Sequence, residues 1–176
     1  MTGVQTCALP IYPNLLYALS ILRNNKQKFR CALAGSGMTS QNDQLMDLIN
    51  RTGLTDHVIL LGPRSDVSTI MNGIDLHVLS SCAESLPVAV IEAMACGTPC
   101  VVTDVGDAGR LVGETGWVVP SRSPEALSVG IESAIAVLQR IGKEELGKAC
   151  RDRIEQYYSL EKMADKYIKV WGKVLH

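Results

Sequence analysis

Four short segments of this chain are apolar through most of their length, and helical patterns separate them. They are "FRCALAG" at residues 29–35, "HVILLG" at 57–62, "DLHVLSS" at 75–81 and "TPCVVTD" at 98–104, with "GWVVP" at 116–120 as a fifth candidate. A strand with one face in water alternates polar and apolar residues; a strand covered on both faces does not have to. Strands of the second kind, alternating with helices, call for a parallel sheet with helices on both faces, a doubly wound α/β arrangement. Such sheets bind ligands outside the carboxyl ends of their strands, where the strand order reverses.

The intervening segments carry helix signals of their own. "YPNLLYALSILRNN" places Leu15, Leu16, Leu19 and Leu22 on one helical face. "SQNDQLMDLINRTG" reads as a helix with Ser40 or Asn42 at its N-cap and Gly53 just past its end. "SDVSTIMNG" is a short helix closed by Asn72 and Gly73. Pro87 fits the first turn of a helix running to Gly97, because proline has no N–H to lose there. Ser123 caps a helix with Pro124 at its first position, and two more helices, near 143–157 and 160–175, end the chain.

A length of 176 residues suits one domain, and 47% hydrophobic against 20% charged residues is an ordinary globular balance. The formal net charge of -1 gives no electrostatic footprint for nucleic acid or an anionic membrane. No apolar run reaches the ~18 to 20 residues of a membrane span. Residues 1–11 lack the basic start and continuous apolar stretch of a secretory signal. The six cysteines, at positions 7, 31, 82, 96, 100 and 150, form no Cys-x-x-Cys pair and have no histidine at zinc spacing. They read as reduced structural thiols of a cytosolic protein.

From Pro87 to Cys96 every residue is apolar or small except Glu92, and Glu84 stands eight positions earlier in the preceding loop. A helix apolar on all sides is a buried helix, and a lone carboxylate on it is costly unless donors meet it. Two readings are open. Glu92 pairs with Arg64, Arg110 or a backbone cap; or its end of the helix opens into a crevice, where its oxygens accept both hydroxyls of a vicinal diol such as a ribose. The loop "AESLP" leaves the N–H groups of Ser85, Leu86 and Val88 free for anionic or hydroxyl-rich groups. Other features have plainer readings. Gly35-Ser36-Gly37 lacks the third glycine of a dinucleotide fingerprint. His77 is packed in an apolar strand, Asp104 and Asp107 serve turns and caps, and Trp117 belongs to the core. No paired aspartates point to a metal.

The segment "ESLPVAVIEAMACGTPCVVTDVG", residues 84–106, resembles the Glu–seven residues–Glu segment of the family-four retaining glycosyltransferases, which have the GT-B fold. "LAGSG", "VILLGPRSDV", "IDLHVLSS" and "VGETGWVVP" match in the family's order and spacing, so the resemblance runs from Tyr12 to the C-terminus. It implies a Rossmann-like C-terminal half of a GT-B enzyme with extra C-terminal helices, residues 12–176 being the nucleotide-sugar-binding domain. It also implies a UDP-, GDP- or ADP-sugar as donor, with no cofactor and no metal. Under the resemblance Glu92 holds the ribose. Glu84, the catalytic candidate, contacts hydroxyls of the transferred sugar, and the amides of Ser85, Leu86 and Val88 approach sugar and phosphates. Pro63, Arg64 and Ser65 lie against the base, largely through backbone atoms. Gly35 and Gly37 form a turn beside the donor, where a missing side chain allows close approach.

Two parts of the family's pattern are missing. The strand before the first helix normally ends in an Arg and, a few residues later, a Lys, whose charges neutralise the donor diphosphate. The corresponding "MTGVQTCALPI" at residues 1–11 has neither. It resembles a translated sequencing adaptor, so the expectation is a non-native leader with native sequence from near Tyr12; the alternative is a divergent native N-terminus. The amino-terminal acceptor domain is also expected to be missing. The expected function is the donor-binding half of an enzyme, such as one of polysaccharide biosynthesis, that transfers a sugar to an acceptor hydroxyl and keeps its anomeric configuration. This chain alone should transfer little. The intact enzyme is expected in the cytosol, with the inner face of the membrane as an alternative setting. The last helix would pack on the acceptor domain, so its apolar face (Met163, Tyr167, Val170, Trp171) is expected to be partly uncovered. Two rivals remain: a non-catalytic nucleotide-binding or interaction module, which would not need both acids, and a sugar-nucleotide epimerase, which needs basic and histidine groups not found here.

Overall fold

The computed structural model describes residues 2–4 and 12–174. One sheet holds six parallel strands: β1 (Thr2–Val4), β2 (Cys31–Ala34), β3 (Val58–Gly62), β4 (His77–Leu79), β5 (Cys100–Thr103) and β6 (Trp117–Val119). Their spatial order is β3-β2-β1-β4-β5-β6. The chain winds outward from β1 to β3, returns to the centre at β4 and winds outward on the other side. Strand order therefore reverses between β1 and β4, which marks the crevice at their carboxyl ends.

The helices are α1 (Tyr12–Asn24), α2 (Asp43–Arg51), α3 (Val67–Gly73), α4 (Val88–Ala95), α5 (Ala108–Val112), α6 (Pro124–Ile141), α7 (Lys143–Tyr158) and α8 (Leu160–Val174), with a 3-10 turn at Gly113–Thr115. Adjacent strand residues serve opposite faces. Val78 and Val101 join one core with Leu16, Leu19 and Leu22 of α1, Ile49 of α2 and Ile131 of α6. Leu79, Cys100 and Val102 join the other with Met71 of α3, Val90 and Met94 of α4, Leu111 of α5 and Ile154 of α7. Covering both faces is what leaves β4 and β5 buried along their whole length. The edges differ: Ile59 on β3 and Val118 on β6 are exposed.

Local chemistry sets the helix starts. The Asn42 side chain accepts from the Leu45 N–H at 3.1 Å and so caps α2. Ser123 does the same for Ala126, with Pro124 first in α6. Pro87, expected in the first turn of its helix, is instead the N-cap residue, and α4 begins at Val88. The short α5 and its 3-10 turn stand in a stretch whose sequence suggests turns and caps. β1 lies in the stretch read as adaptor-like and fills the central slot, pairing Thr2, Gly3 and Val4 with Ala32, Leu33 and Ala34. Residues 1 and 5–11, Cys7 among them, lie outside the described residues, as do 175 and 176. The five described cysteines are free, with Cys31, Cys100 and Cys150 buried. Burial pushes the Cys31 thiol up to about 11. Among the described residues no helix is long and apolar enough to cross a membrane.

Candidate functional site

The segment 80–87 leaves the carboxyl end of β4, beside the reversal of strand order, and feeds α4. Leu79, Glu84, Leu86, Pro87, Val88, Ala89 and Glu92 line a cavity of about 270 Å³ there. Both glutamates thus border one hollow at the strand tips. The geometry follows from the helix: Val88, Glu92 and Ala95 are exposed and share one side of α4, while Val90, Ala93 and Met94 are buried on the other.

Glu92 is accordingly exposed, which corrects one expectation. α4 is not covered on all sides, so its carboxylate keeps its water and needs no partner to offset burial. The protein-cation reading finds no support, since no Lys, Arg or His forms an ion pair with Glu92 among the described residues. Arg64 instead donates from Nε and Nη2 to the two oxygens of Asp66, at 2.7 and 2.6 Å. That hydrogen bond holds the Asp66 carboxyl below the usual carboxylate range. Arg110 lines a separate hollow with Arg153, Tyr157, Tyr158 and Lys166.

Glu84 is half-buried and more constrained. Its Oε1 accepts from the Ser81 hydroxyl at 2.6 Å. The carbonyl of Ser81 in turn accepts from Thr103 Oγ1, also at 2.6 Å. The loop after β5 holds the backbone: Asp107 N–H donates to the Ser85 carbonyl at 3.0 Å. Gly106 lies so close that a Cβ there would come within 2.3 Å of the Glu84 carbonyl oxygen. Sequence alone does not mark Ser81, Thr103, Gly106 or Ala89 as site residues. A serine three residues before Glu84 was the only local signal.

The other candidates share this edge of the sheet without lining the cavity. Gly35 and Gly37, both at positive φ, follow β2; the Gly37 carbonyl accepts from Asn42 Nδ2. Pro63, Arg64 and Ser65 follow β3. Ser85 is exposed beside the cavity. His77 is fully buried at the start of β4, away from the strand tips. A larger hollow of about 340 Å³, lined by Lys28, Phe29, Arg30, Asp75, Leu76 and Lys143 among others, sits at the amino ends of β2 and β4. That is the wrong end of an open α/β sheet for a nucleotide.

Residues 12–136 match the family described as Glycosyl transferases group 1. Among curated relatives, D-inositol 3-phosphate glycosyltransferase of Rhodococcus erythropolis is 32% identical over 144 residues, covering 80% of this chain and 32% of the relative. A glycosyltransferase from Rickettsia africae superposes with a TM-score of 0.84 at 19% identity, over 99% of this chain and 47% of that one. The Anabaena protein Alr3699/HepE, crystallised with UDP and glucose, gives 0.80 at 22% identity, over 98% and 48%. These two likenesses establish the fold. This chain spans about a third of the length of the curated relatives it matches. On the family match, which covers more than half of its length, the chain belongs to the group 1 glycosyl transferases.

Proposed function

We propose that this chain is the donor-binding half of a retaining, family-four glycosyltransferase of GT-B architecture. The observation that carries the reading is the pair of carboxylates on one cavity beside the reversal of strand order. Glu92, solvated and unpaired, accepts the vicinal hydroxyls of a nucleotide's ribose. Glu84, half-buried and fixed, accepts hydroxyls of the sugar to be transferred. The amides of Ser85, Leu86 and Val88 approach sugar and phosphates. Pro63, Arg64 and Ser65 border the base through their backbone, and Gly35 and Gly37 give the donor close approach. A nucleotide-sugar is the ligand class, in keeping with the UDP-glucose complex of Alr3699/HepE.

Among the described residues no cation lines the cavity, so none of them offsets the repulsion between a diphosphate and two carboxylates. The chain by itself therefore binds a donor weakly and transfers little. The acceptor-binding half belongs to the rest of the whole enzyme. That enzyme moves the sugar to an acceptor hydroxyl with its configuration kept, in the cytosol or at the inner face of the membrane.

Titration of the chain with UDP, GDP and ADP, and with UDP-glucose, GDP-mannose and ADP-glucose, tests this. Glu92→Ala is expected to weaken the preferred nucleotide and its sugar alike, by about tenfold to a hundredfold, the worth of a lost charge-assisted hydrogen bond. Glu84→Ala is expected to weaken only the nucleotide-sugar. A chain that binds none of the six, or ignores both substitutions, rules the reading out.

A further inference from the structure

We propose that Ser81 is the positioning residue for Glu84 and that Thr103 holds Ser81 in that task; this rests on the reading of Glu84 as the acceptor of the transferred sugar's hydroxyls. Glu84 stands in irregular chain between β4 and α4, where no strand ladder or helix fixes its side chain. Ser81 and Thr103 are both fully buried, and Thr103 is the last residue of β5, a strand buried along its whole length. A line of short contacts therefore runs from rigid sheet to working carboxylate: Thr103 Oγ1 to the Ser81 carbonyl, then Ser81 Oγ to Glu84 Oε1, each at 2.6 Å.

Hydrogen-bond inventory fixes the polarity of the second contact. In this contact the Ser81 hydroxyl donates and Oε1 accepts, as a carboxylate oxygen must. The 2.6 Å separation lies in the range of charge-assisted O–H···O⁻ bonds. The remaining oxygen, Oε2, has no hydrogen-bond partner among the described residues and is left for ligand hydroxyls on the cavity that Glu84 lines. A glutamate free to rotate would lose that freedom only when a sugar bound, at a cost to affinity. Ser81 removes the freedom beforehand. The benefit goes to sugar recognition alone, because Glu92 lies outside the relay. Ser81 therefore sets the preference for nucleotide-sugar over bare nucleotide rather than affinity for the nucleotide.

The test titrates the full chain with the nucleotide and nucleotide-sugar it binds best of the six above, read as the ratio of the two affinities. Ser81→Ala is expected to lower that ratio about tenfold, with nucleotide affinity changed less than about twofold. Thr103→Val, which keeps the shape and removes the hydroxyl, is expected to lower it in part, and Thr103→Ser to preserve it. Adding Ser81→Ala to Glu84→Ala is expected to change nothing further, since the two act as one unit. A general loosening of the fold would instead weaken nucleotide and sugar together and add to the Glu84 effect, and that result overturns the proposal. If Glu84→Ala erases the preference while Ser81→Ala and Thr103→Val both leave it intact, positioning fails and the donor reading stands. If Glu84→Ala leaves the preference unchanged, the reading of Glu84 as the acceptor of the sugar's hydroxyls fails, and this inference with it.

Discussion

At the scale of single residues the site depends on how two carboxylates are treated differently. Glu92 sits in solvent on the open side of α4, while Glu84 is gripped by the Ser81 hydroxyl and its backbone is braced by the loop after β5. Gly106 makes that bracing possible. Its φ of +51° is a left-handed conformation, and a Cβ would meet the carbonyl oxygens of Glu84 and Ser85 at 2.3 and 2.6 Å. Both oxygens are backbone, so neither can swing aside. Gly106→Ala is therefore expected to destabilise the fold by about 1 to 3 kcal/mol, from left-handed strain plus displacement of the loop. It should also lower the preference for nucleotide-sugar over nucleotide. Chemical denaturation reads the first effect and titration the second. Unchanged stability with unchanged preference would mean that the two loops do not brace each other.

At the scale of elements, Asn42 serves two structures at once: Oδ1 caps α2 at the Leu45 N–H, and Nδ2 holds the Gly37 carbonyl in the glycine turn after β2. Removing both contacts with Asn42→Ala is expected to cost about 1 kcal/mol in denaturation, the usual worth of a cap. Asn42→Asp separates them. It keeps an oxygen for Leu45 but sets a second oxygen against the Gly37 carbonyl, so the helix should hold while amide exchange quickens at Gly37 and Met38. Equal exchange in wild type and Asn42→Asp would show that the amide does not tether the turn. This cap was legible in the sequence because capping is local, and so were the buried strands, whose apolar runs need no distant partner to be read. What escaped depends on contacts far apart in the chain. The uncovered side of α4 escaped because composition marks the helix as apolar without telling which side its neighbours cover; Leu86 and Val88 are in fact exposed beside Glu92. The Thr103 contact joins residues 22 positions apart. β1 escaped because a parallel ladder is built from backbone groups, which leave little trace in a stretch such as Thr-Gly-Val.

At the scale of the whole molecule, two cores close the sheet and leave α8 outside both. Every residue from 160 to 172 is exposed, and Met163, Tyr167, Ile168, Val170 and Trp171 keep between 50% and 63% of their surface in water. Tyr167 and Trp171, one helical turn apart, meet at a 45° tilt with 5.8 Å between ring centroids and contribute mainly to the helix itself. An apolar stripe this continuous favours association, whereas its loss removes nothing from either core. The double substitution Tyr167→Glu with Trp171→Glu is thus expected to change folding stability by less than about 0.5 kcal/mol and to suppress concentration-dependent self-association in sedimentation velocity. A large drop in stability would show that α8 packs on the domain and shares in its fold. Equal association in both proteins would place the sticky surface elsewhere, with the exposed Ile59 of edge strand β3 the next to change.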